Sequence, residues 1–155
     1  MYQRSKKTWS GNKLPLKGNV FISVRKNVNP VKIAEVFCSL GFNIFATEGT
    51  GKKIKETKIP VKIVPKISDL ERPNVLDYII SREIDLVINL PSGKGAKDDE
   101  YKIRRAAIDY KIPYITTMPA ALLAGKAIAS QIKNNNLEVY PLLKQNYGKT
   151  FIKRF

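Results

Sequence analysis

Five short apolar, largely β-branched runs recur along the chain, each followed by a stretch with helical spacing. They are Asn19-Val-Phe-Ile-Ser-Val24, Phe42–Ala46, Val61–Val64, Asp85-Leu-Val-Ile-Asn89 and Tyr114–Thr117. Runs this short, with little polar alternation, read as strands buried on both faces. Parallel strands need a crossover between them, and a helix is the usual one. The alternation therefore predicts an α/β domain with a parallel sheet covered by helices on both faces. Such a sheet binds ligands beyond the carboxyl ends of its strands, at a topological switch point.

The segments between the strands carry their own punctuation. Pro30 suits a helix start, Ile33, Ala34, Phe37, Cys38 and Leu40 follow at helical spacing, and Gly41 ends the helix. Thr47-Glu-Gly-Thr50 is expected to turn into a helix near 51–57, and Pro65–Pro73 to form a loop containing Lys66 and Asp69. Asn74 is expected to cap a helix through Ser81. Leu90–Lys97 is a loop of mostly small residues, after which Asp98, Asp99 and Glu100 suit the positive end of a helix running to about Tyr110. Pro119 opens a last helix, with the Asn134-Asn-Asn136 run as its expected end and Tyr140-Pro141-Leu-Leu143 packing back on the domain. The organisation is then a basic arm over 1–18, one domain over 19–145 and a tail over 146–155. A chain of 155 residues fits a single domain.

Composition removes several function classes. The chain has no histidine, which excludes a Ser-His-Asp triad, a Cys-His pair and a histidine zinc site. Its one cysteine, Cys38, allows no internal disulfide and falls in an apolar pattern expected to be core. No apolar stretch approaches the ~20 residues of a membrane span, and no signal-peptide core is present, so a cytoplasmic setting is the default expectation. Lys and Arg number 28 against 13 Asp and Glu, a formal charge of +15. That charge is scattered, without Arg/aromatic alternation or an RNP-type strand, so a specific nucleic-acid binder is the lesser expectation and a solvated basic surface the simpler one.

The residues placed just after each strand form the candidate site. Arg25 and Lys26 follow the first, Thr47, Gly49 and Thr50 the second, Lys66 the third, Asn89, Ser92, Gly93 and Lys94 the fourth, and Thr116 and Thr117 the fifth. Every strand end carries a donor, and together they can offer hydroxyl, ammonium and helix-start N–H groups to one anion. Taken singly, each has a blander use: Thr47 as a helix cap, Lys66 as surface, Asn89 as a bond to its own loop. Ser92-Gly-Lys-Gly95 lacks the spacing and the terminal Gly-Lys-[Ser/Thr] of a Walker A loop. Asp98 and Asp99 read as helix-start residues rather than an acid/base pair, and binding is a simpler expectation than catalysis. Nothing in the pattern calls for a metal or a cofactor.

Several motifs carry a resemblance over roughly residues 11–135. They are Lys17-Gly-Asn-Val-Phe-Ile-Ser-Val-Arg25, Gly41-Phe42, Ala46-Thr-Glu-Gly-Thr50, Arg72-Pro73, Val87-Ile-Asn-Leu-Pro91, Tyr101-Lys-Ile-Arg-Arg-Ala-Ala107 and Lys111-Ile-Pro113. The Tyr101–Ala107 run is the most specific of them. With these the chain resembles the methylglyoxal-synthase-like superfamily, and most closely the C-terminal allosteric domain of the carbamoyl-phosphate synthetase large subunit. The resemblance implies a three-layer α/β/α fold with a doubly wound, five-stranded parallel sheet of order 3-2-1-4-5. It implies regulation rather than chemistry: this chain alone would not catalyse, whereas the parent enzyme is an ATP-dependent ligase serving pyrimidine and arginine synthesis.

The resemblance also implies roles for particular residues. Thr47, Thr50 and Lys66 fall where the family holds a phosphate or equivalent anion, with Lys26 or Lys32 as a further lysine. Asn89 and the loop through Ser92 fall where the rest of the effector lies. Tyr114 and Thr116 match a segment that helps hold ornithine against the synthetase domains. The implied effectors are UMP, IMP, UTP, phosphoribosyl pyrophosphate or N-acetylglutamate. Leu90-Pro91 and Glu48 depart from the bacterial UMP-binding pattern, and a carboxylate at Glu48 is unfavourable beside a phosphate unless it points away or meets a cation. A methylglyoxal synthase would share the fold but carries Gly-Gly-Asp where this chain has Arg72-Pro73-Asn74, and its active-site histidine has no counterpart here.

Overall fold

A computed structural model of the chain describes residues 13–91 and 97–147, with side chains described through residue 135 except that of Lys97. Strands β1 (Asn19–Val24), β2 (Asn43–Ala46), β3 (Val61–Ile63), β4 (Leu86–Leu90) and β5 (Tyr114–Ile115) form one sheet of order β3-β2-β1-β4-β5, and every pairing is parallel. This is the fold the strand pattern and the family resemblance imply. The central strand is fully enclosed: Val20, Phe21 and Ile22 are each 0% exposed.

Alternation along the strands divides the core in two. Val20, Ile22, Ile44, Ala46, Leu86, Ile88 and Ile115 point to one face, where they pack with Ile33, Ala34 and Phe37 of α1 (Val31–Ser39), Ile54 of α2 (Glu48–Lys55) and Ala121, Ala124 and Ile128 of α5 (Met118–Tyr147). Phe21, Phe45, Val87 and Tyr114 point to the other, against Val75, Tyr78 and Ile79 of α3 (Val75–Ile80) and Ile103 and Ala107 of α4 (Lys97–Asp109). The inner strands β1, β2 and β4 thus spend both faces on core, which is why they read as largely apolar, whereas the edge strand β3 carries the exposed Lys62.

Local chemistry sets two of the helix ends. Asn74 caps α3 as expected, its side chain accepting from the Leu76 and Asp77 N–H groups, while the Asp77 carboxylate accepts from the Asn74 N–H in return. Gly41 follows α1 at φ +94, a conformation that glycine adopts without penalty.

Four expectations need correction. The second helix starts at Glu48 rather than near residue 51, because Thr47 itself takes the extended N-cap conformation and Gly49 is tolerated in the first turn. The last helix does not end at Asn134–Asn136 but continues to Tyr147. Asparagine costs a helix only a few tenths of a kcal/mol more than an ordinary residue, and no glycine stands directly after the run to supply a left-handed stop. Tyr140–Leu143 therefore belongs to this helix instead of forming a separate returning segment. Cys38 lies half-buried at the rim of the core rather than within it.

Among the described residues no helix is long and apolar enough to cross a membrane.

Candidate functional site

Strand order reverses between β1 and β4, and a cleft of about 800 Å³ opens there beyond the strand ends. Register explains its floor: Ser23 pairs with Asn89 and Val24 with Leu90, so four consecutive strand-end positions meet at one place. The α2 N-terminus enters from the β2 side, and the Lys66–Ser68 turn from the β3 side.

The start of α2 is the most organised part of the wall. Thr47 occupies the N-cap position but makes no side-chain cap hydrogen bond. The first intrahelical bond runs from the Gly51 N–H to the Thr47 carbonyl at 2.7 Å, so the N–H groups of Glu48, Gly49 and Thr50 precede the ladder. Thr47 is 6% exposed and Thr50 3%. The Thr47 hydroxyl donates to Thr50 Oγ1 at 3.3 Å, and the Val24 N–H donates to the same oxygen at 3.0 Å. The hydroxyl pair uses one proton between them, so one of the two O–H groups stays available to a ligand. Buried hydroxyls and amide donors converging at the positive end of a helix form a place where a small anion is favoured.

The cations around the cleft divide into two kinds. Lys53 Nζ donates to the Lys26 carbonyl at 2.5 Å and the Val28 carbonyl at 3.1 Å, tying α2 to the loop after β1. Arg25 donates to the Pro91 carbonyl at 3.1 Å, bracing the ends of β1 and β4. Lys26 and Lys66 line the cleft with exposed side chains and, among the described residues, no ion-pair partner. Asp98, Asp99 and Glu100 of α4 close the opposite side. Asp98 is paired with Lys102 at 3.1 Å, and Asp99 accepts from the Ser68 N–H at 3.1 Å.

The structure brings Lys26, Thr47, Thr50, Lys66 and Asn89 together in this cleft. Lys32 does not line it: of the loop after β1 only Arg25 and Lys26 reach the cleft, and Lys32 is an exposed residue of α1. Ser92 and the rest of the 92–96 loop lie outside the described residues. Thr116, just after the edge strand β5, does not line the cleft. Tyr114 is 8% exposed and buried against the second core, with its hydroxyl accepting from Asn89 Nδ2 at 3.0 Å. It is thus tied to the cleft residue Asn89 without itself lining the cleft.

Glu48 resolves the expected conflict with an anion. Its side chain is 71% exposed and paired with Lys52 at 3.3 Å one helical turn on, so it does not line the cleft. Asn74 uses its carbonyl oxygen to cap α3 and offers no titratable proton for acid/base work.

Sequence reasoning missed Ser23 and Lys53. Ser23 was the one hydroxyl in an otherwise apolar strand, which is a usable signal. Lys53 stands one turn after Thr50, so helical spacing alone places it beside the threonines.

Comparison with known proteins gives a consistent set of relatives. Residues 29–116, more than half of the chain, match the MGS-like domain family. The chain is 49% identical over 131 residues to the carbamoyl phosphate synthase large chain, C-terminal section, of Methanocaldococcus jannaschii, covering 83% of this chain and 21% of that protein. It is 50% identical over 123 residues to the corresponding section from Aquifex aeolicus, covering 78% and 23%. The carbamoyl phosphate synthase large chain of Archaeoglobus fulgidus is 45% identical over 133 residues, covering 84% and 12%. The chain spans less than a quarter of the length of each of these curated relatives.

Proposed function

The chain belongs to the MGS-like domain family, and from that membership we propose that it is an effector-binding regulatory domain of a carbamoyl phosphate synthase. Its ligand is a small phosphorylated or carboxylate molecule of the UMP, IMP, UTP, phosphoribosyl pyrophosphate or N-acetylglutamate kind. Its partners are the synthetase domains of the large chain. The anion sits at the start of α2, held by Thr47, Thr50 and the first-turn N–H groups, with Lys26 and Lys66 neutralising its charge. Asn89 meets the remainder of the ligand.

One observation carries this reading: two buried threonine hydroxyls and three N–H groups ahead of the helical ladder stand at a cleft that also holds two lysines with no ion-pair partner among the described residues. The chemistry is complementary to a compact anion. The three α4 acids on the far side break up the positive field, so a long polyanion fits less well than one small ligand. Regulation then works by linkage: an effector that prefers one conformation of the whole enzyme shifts its activity by the difference in affinity, typically ~1–3 kcal/mol.

Calorimetry of the chain with inorganic phosphate, UMP, IMP, UTP, phosphoribosyl pyrophosphate and N-acetylglutamate tests this directly. At least one should bind with about millimolar affinity or better, and Thr47→Ala with Lys66→Ala should abolish that binding. If none binds, or if the double variant binds as well as the parent, the reading fails.

A further inference from the structure

The residues after β1, Arg25 to Asn29, belong to no helix or strand. Within this turn the Val28 N–H donates to the Arg25 carbonyl at 3.0 Å. Arg25 reaches the Pro91 carbonyl at 3.1 Å, which ties the start of the turn to the end of β4. Lys53 ties the rest to α2: its ammonium donates to the Lys26 carbonyl at 2.5 Å and to the Val28 carbonyl at 3.1 Å. An ammonium donates and never accepts, and a carbonyl only accepts, so the direction of both bonds is settled by chemistry. Bonds from a charged donor are also stronger than those of a neutral one. Lys53 is half-buried and has no carboxylate partner among the described residues. It stands three residues after Thr50, close to it on the helix surface, and both residues line the cleft with Lys26. The turn is thereby clamped beside the helix start where the threonines stand. Ordering a loop at the moment of binding costs affinity, and a loop fixed beforehand avoids that cost.

We propose that Lys53 is a positioning residue for anion binding. It holds the turn after β1 against α2, so that Lys26 extends from a fixed backbone beside the anion, and its effect on affinity passes through Lys26. This rests on the anion-binding role proposed above. It adds a division of labour among the cations of the cleft: Lys26 neutralises the ligand, and Lys53 keeps Lys26 in place.

The test uses the whole 155-residue chain, with inorganic phosphate as the probe. The variants are Lys53→Met, Lys26→Met, the double variant of these, and Lys55→Met. Lys55 is an exposed lysine of the same helix that does not line the cleft, so it controls for the loss of a charge alone. In the parent chain Lys53→Met should weaken phosphate binding about fivefold, the scale of coupling between interacting neighbours. In the Lys26→Met background the same change should cost less than about twofold. Lys55→Met should cost less than about twofold, because solvent and salt screen an exposed charge. Hydrogen exchange of the ligand-free chain supplies an independent arm. The Val28 amide should exchange about fivefold or more faster in Lys53→Met, measured relative to the Phe21 amide of the central strand, which reports global opening.

Losses that simply multiply in the double variant overturn the proposal, since Lys53 would then act on the anion independently of Lys26. A loss in Lys55→Met as large as that in Lys53→Met also overturns it, as does a Val28 rate unchanged relative to Phe21. A faster Val28 rate with phosphate binding unaltered makes Lys53 structural only, and the proposal falls. Failure of phosphate to bind the parent counts against the anion-binding function, and the Val28 rate alone then decides whether Lys53 holds the turn.

Discussion

Thr50 Oγ1 accepts a hydrogen bond from the Val24 N–H at 3.0 Å, joining the first turn of α2 to the end of the central strand. Thr47, three residues earlier, hydrogen-bonds to the same oxygen but, among the described residues, its hydroxyl bonds no backbone group. The two threonines are thus unequal. One supports the fold and the cleft, the other the cleft.

Replacing Thr50 with Val keeps the shape and removes the hydroxyl, which leaves the Val24 N–H without its acceptor. We expect a loss of about 1–3 kcal/mol in urea unfolding and loss of anion binding. Thr47→Val should lose about 1 kcal/mol or less while weakening anion binding comparably. Equal stability losses in the two variants would contradict this division.

The two candidate lysines flanking the loop after β1 should differ. Lys26→Met and Lys66→Met each remove an unpaired cation from the cleft and should weaken phosphate binding about tenfold or more, the scale of a charge-assisted hydrogen bond. Lys32→Met should change it less than about twofold, because Lys32 lies outside the cleft. Titration at low and high salt should show the Lys26 and Lys66 effects shrinking as screening rises.

Gly125 lets α5 approach α1 closely. A Cβ there would overlap Val36 Cγ1, and a β-branched valine on a helix has little rotamer freedom to yield. Gly125→Ala gains helix propensity of about 1 kcal/mol but incurs overpacking of about 1–3 kcal/mol. Thermal unfolding should show a lower Tm. A rise in Tm would mean that the two helices separate more readily than their packing implies.

Acid should weaken the start of α3. The Asp77 carboxylate is held below its ordinary range by its hydrogen bond with Arg72 and by the Asn74 N–H. A depressed carboxylate contributes stability that is present above its unfolded pKa and lost as pH falls through the lower folded value. Stability should therefore decline as pH drops below about 4. Asp77→Asn should flatten that part of the profile, and a profile unchanged by Asp77→Asn would remove Asp77 from the account. At neutral pH, Asn74→Ala should lower stability by about 1 kcal/mol through loss of the cap.

Much of the architecture was legible along the chain. β1 was expected at Asn19–Val24 and lies there, because a short apolar run between turn residues has few other uses. The Asn74 cap was legible for the same local reason: its side chain bonds only two and three residues ahead. The end of α5 was not legible. Three asparagines are a weak signal against a helix, and Pro141, a stronger one, lies within the helix rather than ending it.

Within the site, the strand-end rule found Thr47, Thr50, Lys66 and Asn89 from position alone. It could not separate Lys26 from Lys32, nor show that Lys53 and Arg25 hold carbonyls of the loops beside the cleft. Those distinctions depend on where a loop turns after it leaves the sheet.

The residue pattern by itself thus determined a parallel α/β domain with donors at its strand ends, since period, caps and turn residues all act within a few positions of one another. The strand order rested on family resemblance, because no local window carries it. Only the tertiary structure decided that β4 lies beside β1, that Asn89 therefore stands next to Ser23, and that its amide meets Tyr114 twenty-five residues on. Those contacts join segments separated by whole crossover units. Their geometry is set by how two layers of helices close on the sheet, and sequence spacing does not contain it.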